Sequence, residues 1–414
     1  MRKIFLPFVL YLILVYPVYS QKAKVKLGIE VLEERNFDIL QGKNVGLITN
    51  PTGTDSKLKS TIDILFENER VNLVALFGPE HGVRGNVEGG EKIENYIDGK
   101  TGLPVYSLYG KNRKPTAEML EGIDVLVYDI QDIGARSYTF ISTLGLAMEA
   151  AAENNIEFVV LDRPNPLCGN RVEGNIVEDS LRSFIGKYPV PYVYGLTCGE
   201  LAKFINGENL LGNGLKCKLT VVPMQNWTRE MTFGETGLLW IPPSPHIPTW
   251  ETSFYYVMTG ILGELRNALS IGVGYTLPFK TIAAEWIDAE EFARKMNEKK
   301  LIGMIFRPIH YTPYYAFGKG KHLNGVQIHI TDFKNAELMN VQFIAMEVLH
   351  ELYREKNLFE LATPNQRRAF DRAVGSTFIR EMLNTSWKFE KIKYFLDKDV
   401  KKFREISEKY FLYK

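Results

Sequence analysis

Beyond residue 20 the chain alternates short apolar runs with stretches of helical spacing. Val45-Gly-Leu-Ile-Thr49, Leu73-Val-Ala-Leu-Phe77, Val125-Leu-Val-Tyr128, Phe158-Val-Val-Leu161 and Leu219-Thr-Val-Val222 show no regular polar alternation. Such runs predict strands covered on both faces, because a strand with one wet face would alternate. Between them, Ser60–Glu69, Thr116–Glu121, Thr143–Asn154 and Thr197–Ile205 read as amphipathic helices. Buried strands separated by helices predict a parallel sheet, hence an α/β, Rossmann-like domain over residues 22–250.

The pattern changes at Trp240-Ile-Pro-Pro-Ser-Pro-His-Ile-Pro-Thr-Trp250, which holds four of the chain's 19 prolines. Proline fixes φ and removes a donor, so this segment is extended and stiff. It reads as a crossing into a smaller α+β domain, residues 251–414. There Val326–Ile330 alternates as a half-buried strand, and Glu337–Lys356 and Glu390–Tyr410 predict long amphipathic helices.

The N-terminus follows a different rule. Arg2 and Lys3 precede an apolar run of about 15 residues, closed by Val18-Tyr19-Ser20. This predicts a signal peptide over residues 1–20 and a secreted or periplasmic product with no membrane span after cleavage. The 414 residues carry 50 Lys+Arg against 49 Asp+Glu, which gives no support for a nucleic-acid partner. No Gly-x-Gly-x-x-Gly or Walker loop follows any strand, so no nucleotide is expected. No His-Glu-x-x-His or paired-cysteine spacing occurs, so no metal and no other cofactor is expected. Cys168, Cys198 and Cys217 are an odd set, and Cys198 reads as a small buried hydrophobe. Thr197 and Glu200 fit a capping box.

Chemistry collects where the strands end. Strand one runs into Asn50-Pro-Thr-Gly53, strand two into Gly78-Pro-Glu-His-Gly-Val-Arg-Gly85, strand three into Asp129-Ile-Gln-Asp-Ile-Gly-Ala-Arg-Ser-Tyr138, and strand four into Asp162-Arg-Pro-Asn-Pro166. Open parallel sheets bind ligands beyond the carboxyl ends of their strands, so four such loops point to one site. Glu80, held against apolar walls, suits a general acid, or alternatively caps its own loop; His81 stands beside it. Asp129 and Asp132 can bind sugar hydroxyls or a metal, Gln131 stands between them as a further substrate-binding candidate, and Arg136 can pair with a carboxylate; an internal Asp–Arg pair fits these residues equally well. Asp162, Arg163 and Asn165 follow the fourth strand, and Glu173 is a second candidate carboxylate for glycoside hydrolysis. His246 stands among the prolines as a pocket residue.

These runs, taken with the proline-rich crossing, resemble the exo-β-N-acetylmuramidase family, long known as a domain of unknown function. The resemblance covers nearly the whole chain after residue 20, in order. It implies an active site in the cleft between the two domains, and removal of a terminal N-acetylmuramic acid from the non-reducing end of peptidoglycan fragments, without a metal. The implied partners are peptidoglycan-derived muramyl saccharides. Carried over by motif, Glu80 is the first catalytic carboxylate. The sugar's lactyl carboxylate calls for an arginine, for which Arg84, Arg136 and Arg163 are available. Tyr138, Trp240 and Trp250 offer rings for stacking. One stretch departs from the family pattern: Ser270-Ile-Gly-Val-Gly-Tyr275 carries Ile271 and Val273 where members hold a Glu and an Arg, and Glu264 is left as the nearby acid. That departure raises the alternative of a non-catalytic muropeptide-binding protein on the same fold.

Overall fold

The computed structural model describes residues 24–80, 82–85 and 94–414. The expected signal peptide and His81 lie outside them. Seven strands form the N-terminal sheet: β1 (Asn44–Thr49), β2 (Asn72–Gly78), β3 (Tyr96–Ile97), β4 (Pro104–Ser107), β5 (Val125–Asp129), β6 (Glu157–Leu161) and β7 (Lys218–Val222). Their spatial order is β3-β4-β2-β1-β5-β6-β7. All neighbours run parallel except β3, which pairs antiparallel with β4. The five apolar runs are all strands. β3 and β4 were not expected, since both are short and Pro104 weakens the strand signal.

Helices α1 (Gly28–Glu34), α2 (Thr61–Phe66), α3 (Phe140–Glu153) and α4 (Cys198–Gly207) cover the sheet, while the stretch at 116–121 forms a single 3-10 turn, Glu118–Leu120. The start of α4 is the expected capping box. Thr197 Oγ1 accepts the Glu200 N–H at 3.2 Å, and Glu200 Oε2 accepts the Thr197 N–H at 3.1 Å. Glu200 is also fully buried and takes two bonds from Arg229 Nη1, at 2.6 and 2.7 Å.

The topology places the site. From β1 the chain moves outward through β2 to β4, then returns to lay β5, β6 and β7 on the other side of β1. The order reverses between β1 and β5, and a crevice opens at such a reversal. Register brings the strand ends level: Ile48 lies opposite Phe77, Thr49 opposite Asp129, and Tyr128 opposite Val160.

The C-terminal domain is built on a three-stranded antiparallel sheet, β8 (Thr281–Ala284), β9 (Met304–Tyr311) and β10 (Leu323–Ile330), in the order β8-β10-β9. Helices α5 (Thr252–Thr259), α6 (Ala289–Glu298) and α7 (Asn340–Leu352) pack with it, followed by further short helices. The single long helix expected over 390–410 is instead two, Glu390–Asp397 and Val400–Ser407, and a 3-10 turn. At the break, the Asp399 carboxylate accepts the Ile176 N–H at 3.0 Å, so the interruption serves to tie the helices to the first domain.

The two domains share a core. Ile133, Ala135, Tyr192 and Val193 lie in one buried cluster with Phe254, Met339, Phe343 and Val374. The end of the chain also returns to the N-terminal domain. The Tyr413 hydroxyl donates to Asp162 Oδ2 at 2.6 Å, the Leu412 N–H to Glu200 Oε1 at 2.9 Å, and the Arg229 N–H to the Lys414 carbonyl at 3.0 Å. The Phe411 ring lies 3.3 Å from the Arg229 guanidinium carbon.

Candidate active site

At the sheet reversal the loops after β1 and β5 are laced together. Thr49 Oγ1 donates to the Asp129 carbonyl at 2.9 Å, and the Gln131 N–H donates to Thr52 Oγ1 at 2.8 Å. Thr52 in turn donates from N–H and hydroxyl to Asn50 Oδ1, at 3.0 and 2.5 Å. Gly53 is required here: a Cβ on it would lie 2.0 Å from Thr49 Oγ1 and 3.1 Å from the Asp129 carbonyl.

Glu80 emerges after β2 at this edge, half-buried. Its carboxylate lies close enough to the Tyr109 hydroxyl to act on it electrostatically. Burial, and then the negative charge of Glu80, push the Tyr109 hydroxyl up to about 12, so it stays a donor at any ordinary pH. Tyr109 lines a cavity of about 660 Å³ together with Glu94, Asn95, Ser107, Gly110 and Lys111, a volume in the range that accommodates a small ligand. The charge of Arg113 also acts on Tyr109. On the other side, Glu80 and Asp132 both act electrostatically on the Tyr138 hydroxyl, whose dissociation is suppressed chiefly by burial. The Tyr138 ring is fixed edge-on between Phe140, at 4.9 Å, and Tyr256, at 5.8 Å.

Three polar atoms near this point lack partners: Asn50 Nδ2, Asp132 Oδ1 and the Tyr138 hydroxyl, which approaches Ser244 without completing a bond. A buried unmet polar group costs about 1–3 kcal/mol, so such a group calls for an explanation, and a ligand that meets it is one. Asp132 has its other oxygen committed to the Gly134 N–H at 2.7 Å and to the Tyr194 hydroxyl. Burial pushes its carboxyl up to about 6, against the opposing effect of those donors.

The remaining expected site residues are spent on structure. Asp129 takes a two-pronged bond from Arg163, Nε to Oδ1 at 2.5 Å and Nη2 to Oδ2 at 2.8 Å, plus the Thr61 hydroxyl. An internal Asp–Arg pair does exist, with Arg163 rather than Arg136 as the cation. Arg163 also donates to the Thr54 carbonyl at 2.8 Å. Arg136 is fully buried and donates to the carbonyls of Asn175, Val190, Ala373 and Val374 at 2.6–3.1 Å. Arg84 is held two-pronged by Asp98, at 2.8 and 2.9 Å. None of the three arginines presents an open fork for a lactyl carboxylate.

The same holds around β6. Asp162 accepts from the Arg163 and Gly199 N–H groups and from the Thr197 and Tyr413 hydroxyls, at 2.6–3.0 Å. Asn165 bonds the Leu167 N–H and the Leu196 carbonyl. Gln131 donates to the carbonyls of Asp132 and Pro164. Glu173 is not paired with Glu80. Its Oε1 accepts from Arg171 at 2.7 Å, and its Oε2 from the N–H groups of Leu338 and Met339 at 2.9 and 2.8 Å, just before α7.

Trp250 packs against Phe254 and Phe333, at 5.9 and 5.1 Å, and Trp240 meets Phe233 edge-on, at 4.8 Å; both are partly exposed. His246 Nε2 lies 2.8 Å from the Tyr315 hydroxyl. Tyr109, Lys111 and Ser244 were missed. Tyr109 follows β4, and the weak signal of that strand concealed the loop after it. Among the described residues no three His, Cys, Asp or Glu side chains converge as a metal site, and no helix is long and apolar enough to cross a membrane.

Comparison with known proteins adds an independent line. A domain described as "Exo-beta-N-acetylmuramidase NamZ, N-terminal" matches residues 45–251, and its C-terminal counterpart matches residues 254–413. The peptidoglycan beta-N-acetylmuramidase NamZ of Bacillus subtilis (strain 168) is 43% identical over 394 residues, covering 95% of this chain and 92% of that protein. Two crystal structures of DUF1343 family proteins from Bacteroides fragilis NCTC 9343 share the fold. One has TM-score 0.91 and 55% identity, covering 94% of this chain and 99% of its own; the other has TM-score 0.74 and 30% identity, covering 95% and 99%. The two domain matches together span nearly the whole described chain, the similarity runs over nearly the full length of both proteins, and the chain belongs to the NamZ exo-β-N-acetylmuramidase family.

Proposed function

We propose that this chain is an exo-acting glycoside hydrolase that releases terminal N-acetylmuramic acid from the non-reducing ends of peptidoglycan fragments. The observation that carries the reading is the Glu80 carboxylate, which follows β2, one strand from the sheet reversal, acts electrostatically on both Tyr109 and Tyr138, and lies beside a cavity of about 660 Å³ that Tyr109 lines. Glu80 protonates the departing glycosidic oxygen as general acid. Lys111, which lines the cavity, and Arg113 nearby supply the positive charge for the lactyl carboxylate, the task expected of Arg84, Arg136 or Arg163. The reading places the protein outside the cytoplasm, where such fragments occur.

The test is a chromogenic N-acetylmuramide with wild type and Glu80→Gln. The variant is expected to lose roughly 10²–10⁴-fold in kcat while KM and thermal unfolding stay close to wild type. Near-wild-type turnover would remove Glu80 from the role, and no release by the wild type at high enzyme concentration would remove the hydrolase reading.

A further inference from the structure

An exposed surface on the C-terminal domain is built of stacked aromatic rings. The Tyr275 ring lies 4.7 Å from Tyr311 at 28° and 6.0 Å from Tyr314 at 23°, giving a three-ring stack. Its inner end is anchored: Tyr311 is buried, and its hydroxyl bonds Ser270 Oγ and Thr281 Oγ1, both at 2.9 Å. Its outer end is open, with Tyr314 69% exposed and the adjacent Tyr315 50% exposed. The backbone beneath is clamped. The Tyr314 N–H donates to the Gly274 carbonyl at 2.7 Å, and Gly274, at φ +94°, sits so close that a Cβ would lie 2.0 Å from the Tyr315 carbonyl. The segment that departs from the family pattern therefore has a use here. Ile271 turns into the core against Gly263, and Gly274 and Tyr275 seat the stack.

Open tyrosine rings on a soluble surface forgo apolar burial, and a fixed stack has already lost the side-chain freedom that binding would otherwise cost. A ring with an apolar face and a polar rim matches a pyranose, which has the same two properties. The Thr312–His322 pair, at 3.1 Å, lies on the same loop as Tyr314 and Tyr315 and adds polar groups to the surface. A short run of neighbouring residues links the stack to the Glu80 side of the molecule. Glu80 acts on Tyr138, Tyr138 faces Ser244, and two residues on, His246 bonds Tyr315 and stacks on its ring at 6.0 Å and 27°.

We propose that Tyr275, Tyr314 and Tyr315 form a saccharide platform that holds the glycan on the leaving-group side of the scissile bond. This rests on the muramidase reading of the Glu80 cleft. An exo enzyme keeps one sugar in its cleft, and everything beyond the scissile bond must lie outside it.

The test compares kcat/KM on a chromogenic N-acetylmuramide with kcat/KM on a peptide-free tetrasaccharide that has N-acetylmuramic acid at its non-reducing end. Tyr314→Ala is expected to lower the tetrasaccharide-to-chromogen ratio roughly ten-fold, through KM. Tyr314→Trp, which keeps a ring, should hold the ratio near wild type. The proposal is overturned if Tyr314→Ala leaves the ratio unchanged or lowers both activities together, or if an effect appears only when stem peptides are attached. A wild type active on both substrates with an insensitive ratio sinks the platform alone. A wild type active on neither sinks the muramidase reading and the platform with it.

Discussion

Replacing Glu173 by Gln preserves the side chain's size and removes its charge. In the native chain Oε1 meets Arg171, and Oε2 meets two backbone N–H groups that lead into α7. Glutamine offers one oxygen. If that oxygen serves Leu338 and Met339, the amide N–H₂ is turned toward the Arg171 guanidinium, donor against donor. Arg171 cannot move away, because its other N–H groups hold the carbonyls of Phe333, Lys334 and Ala336. Breaking a buried pair from one side costs about 3–5 kcal/mol. Side-chain exposures of 8% for Arg171 and 19% for Glu173 let some water in, which brings the expected loss to about 2–3 kcal/mol. At about 2–4 °C per kcal/mol for a large domain, the unfolding midpoint should fall by roughly 4–12 °C. The assay is thermal unfolding alongside kcat on the chromogenic muramide at 25 °C, with kcat expected within a few-fold of wild type. An unchanged midpoint with kcat reduced by about 10²-fold or more would refute the structural role and make Glu173 a catalytic acid.

Two further outcomes follow from buried groups. Asp132 is held near 6 in the folded chain against an ordinary 3.8, so between those values the folded state keeps a proton that the unfolded state has lost. Its contribution to stability is then present below pH 4 and is lost as pH rises through 6, by about 3 kcal/mol in all. Urea unfolding of Asp132→Asn should accordingly gain on wild type between pH 4 and 7.5, and an equal difference at both pH values would contradict the assignment. Cys198 and Cys217 are buried with their thiols pushed up by burial, whereas Cys168 is partly exposed. An aromatic disulfide reagent should titrate one thiol in the native protein and three after denaturation; three fast native thiols would contradict this.

The sheet was legible because its strands are buried on both faces, so Val45–Thr49 and Phe158–Leu161 announce themselves without alternation. The Thr197–Glu200 cap was legible because both halves of that motif lie within four residues. The partners of the arginines were not. Arg84 finds Asp98 across 14 residues, and Arg136 finds the carbonyls of Ala373 and Val374 across 237 and 238. An arginine after a strand looks the same in sequence whether its fork opens to a ligand or closes on the fold. The partners of Glu173 were hidden for the same reason, since two of its three donors sit before a helix in the other domain. The break at Lys398–Asp399 was hidden because Lys- and Glu-rich spacing continues through it, and only the contact with Ile176 reveals why the helix stops.

The return of residues 411–414 to the first domain has a consequence in time. The Glu200–Arg229 pair and Asp162 belong to the N-terminal sheet, yet their covering groups, Phe411, Leu412 and Tyr413, are made about 180 residues after Arg229. At roughly 5–20 residues per second, synthesis separates the two by about 10–40 s. Throughout that interval the nascent sheet carries a charge pair missing its aromatic lid and a carboxylate missing one of its donors. The N-terminal domain therefore cannot finish folding when its own strands leave the ribosome; it waits for residues 411–413 to be made.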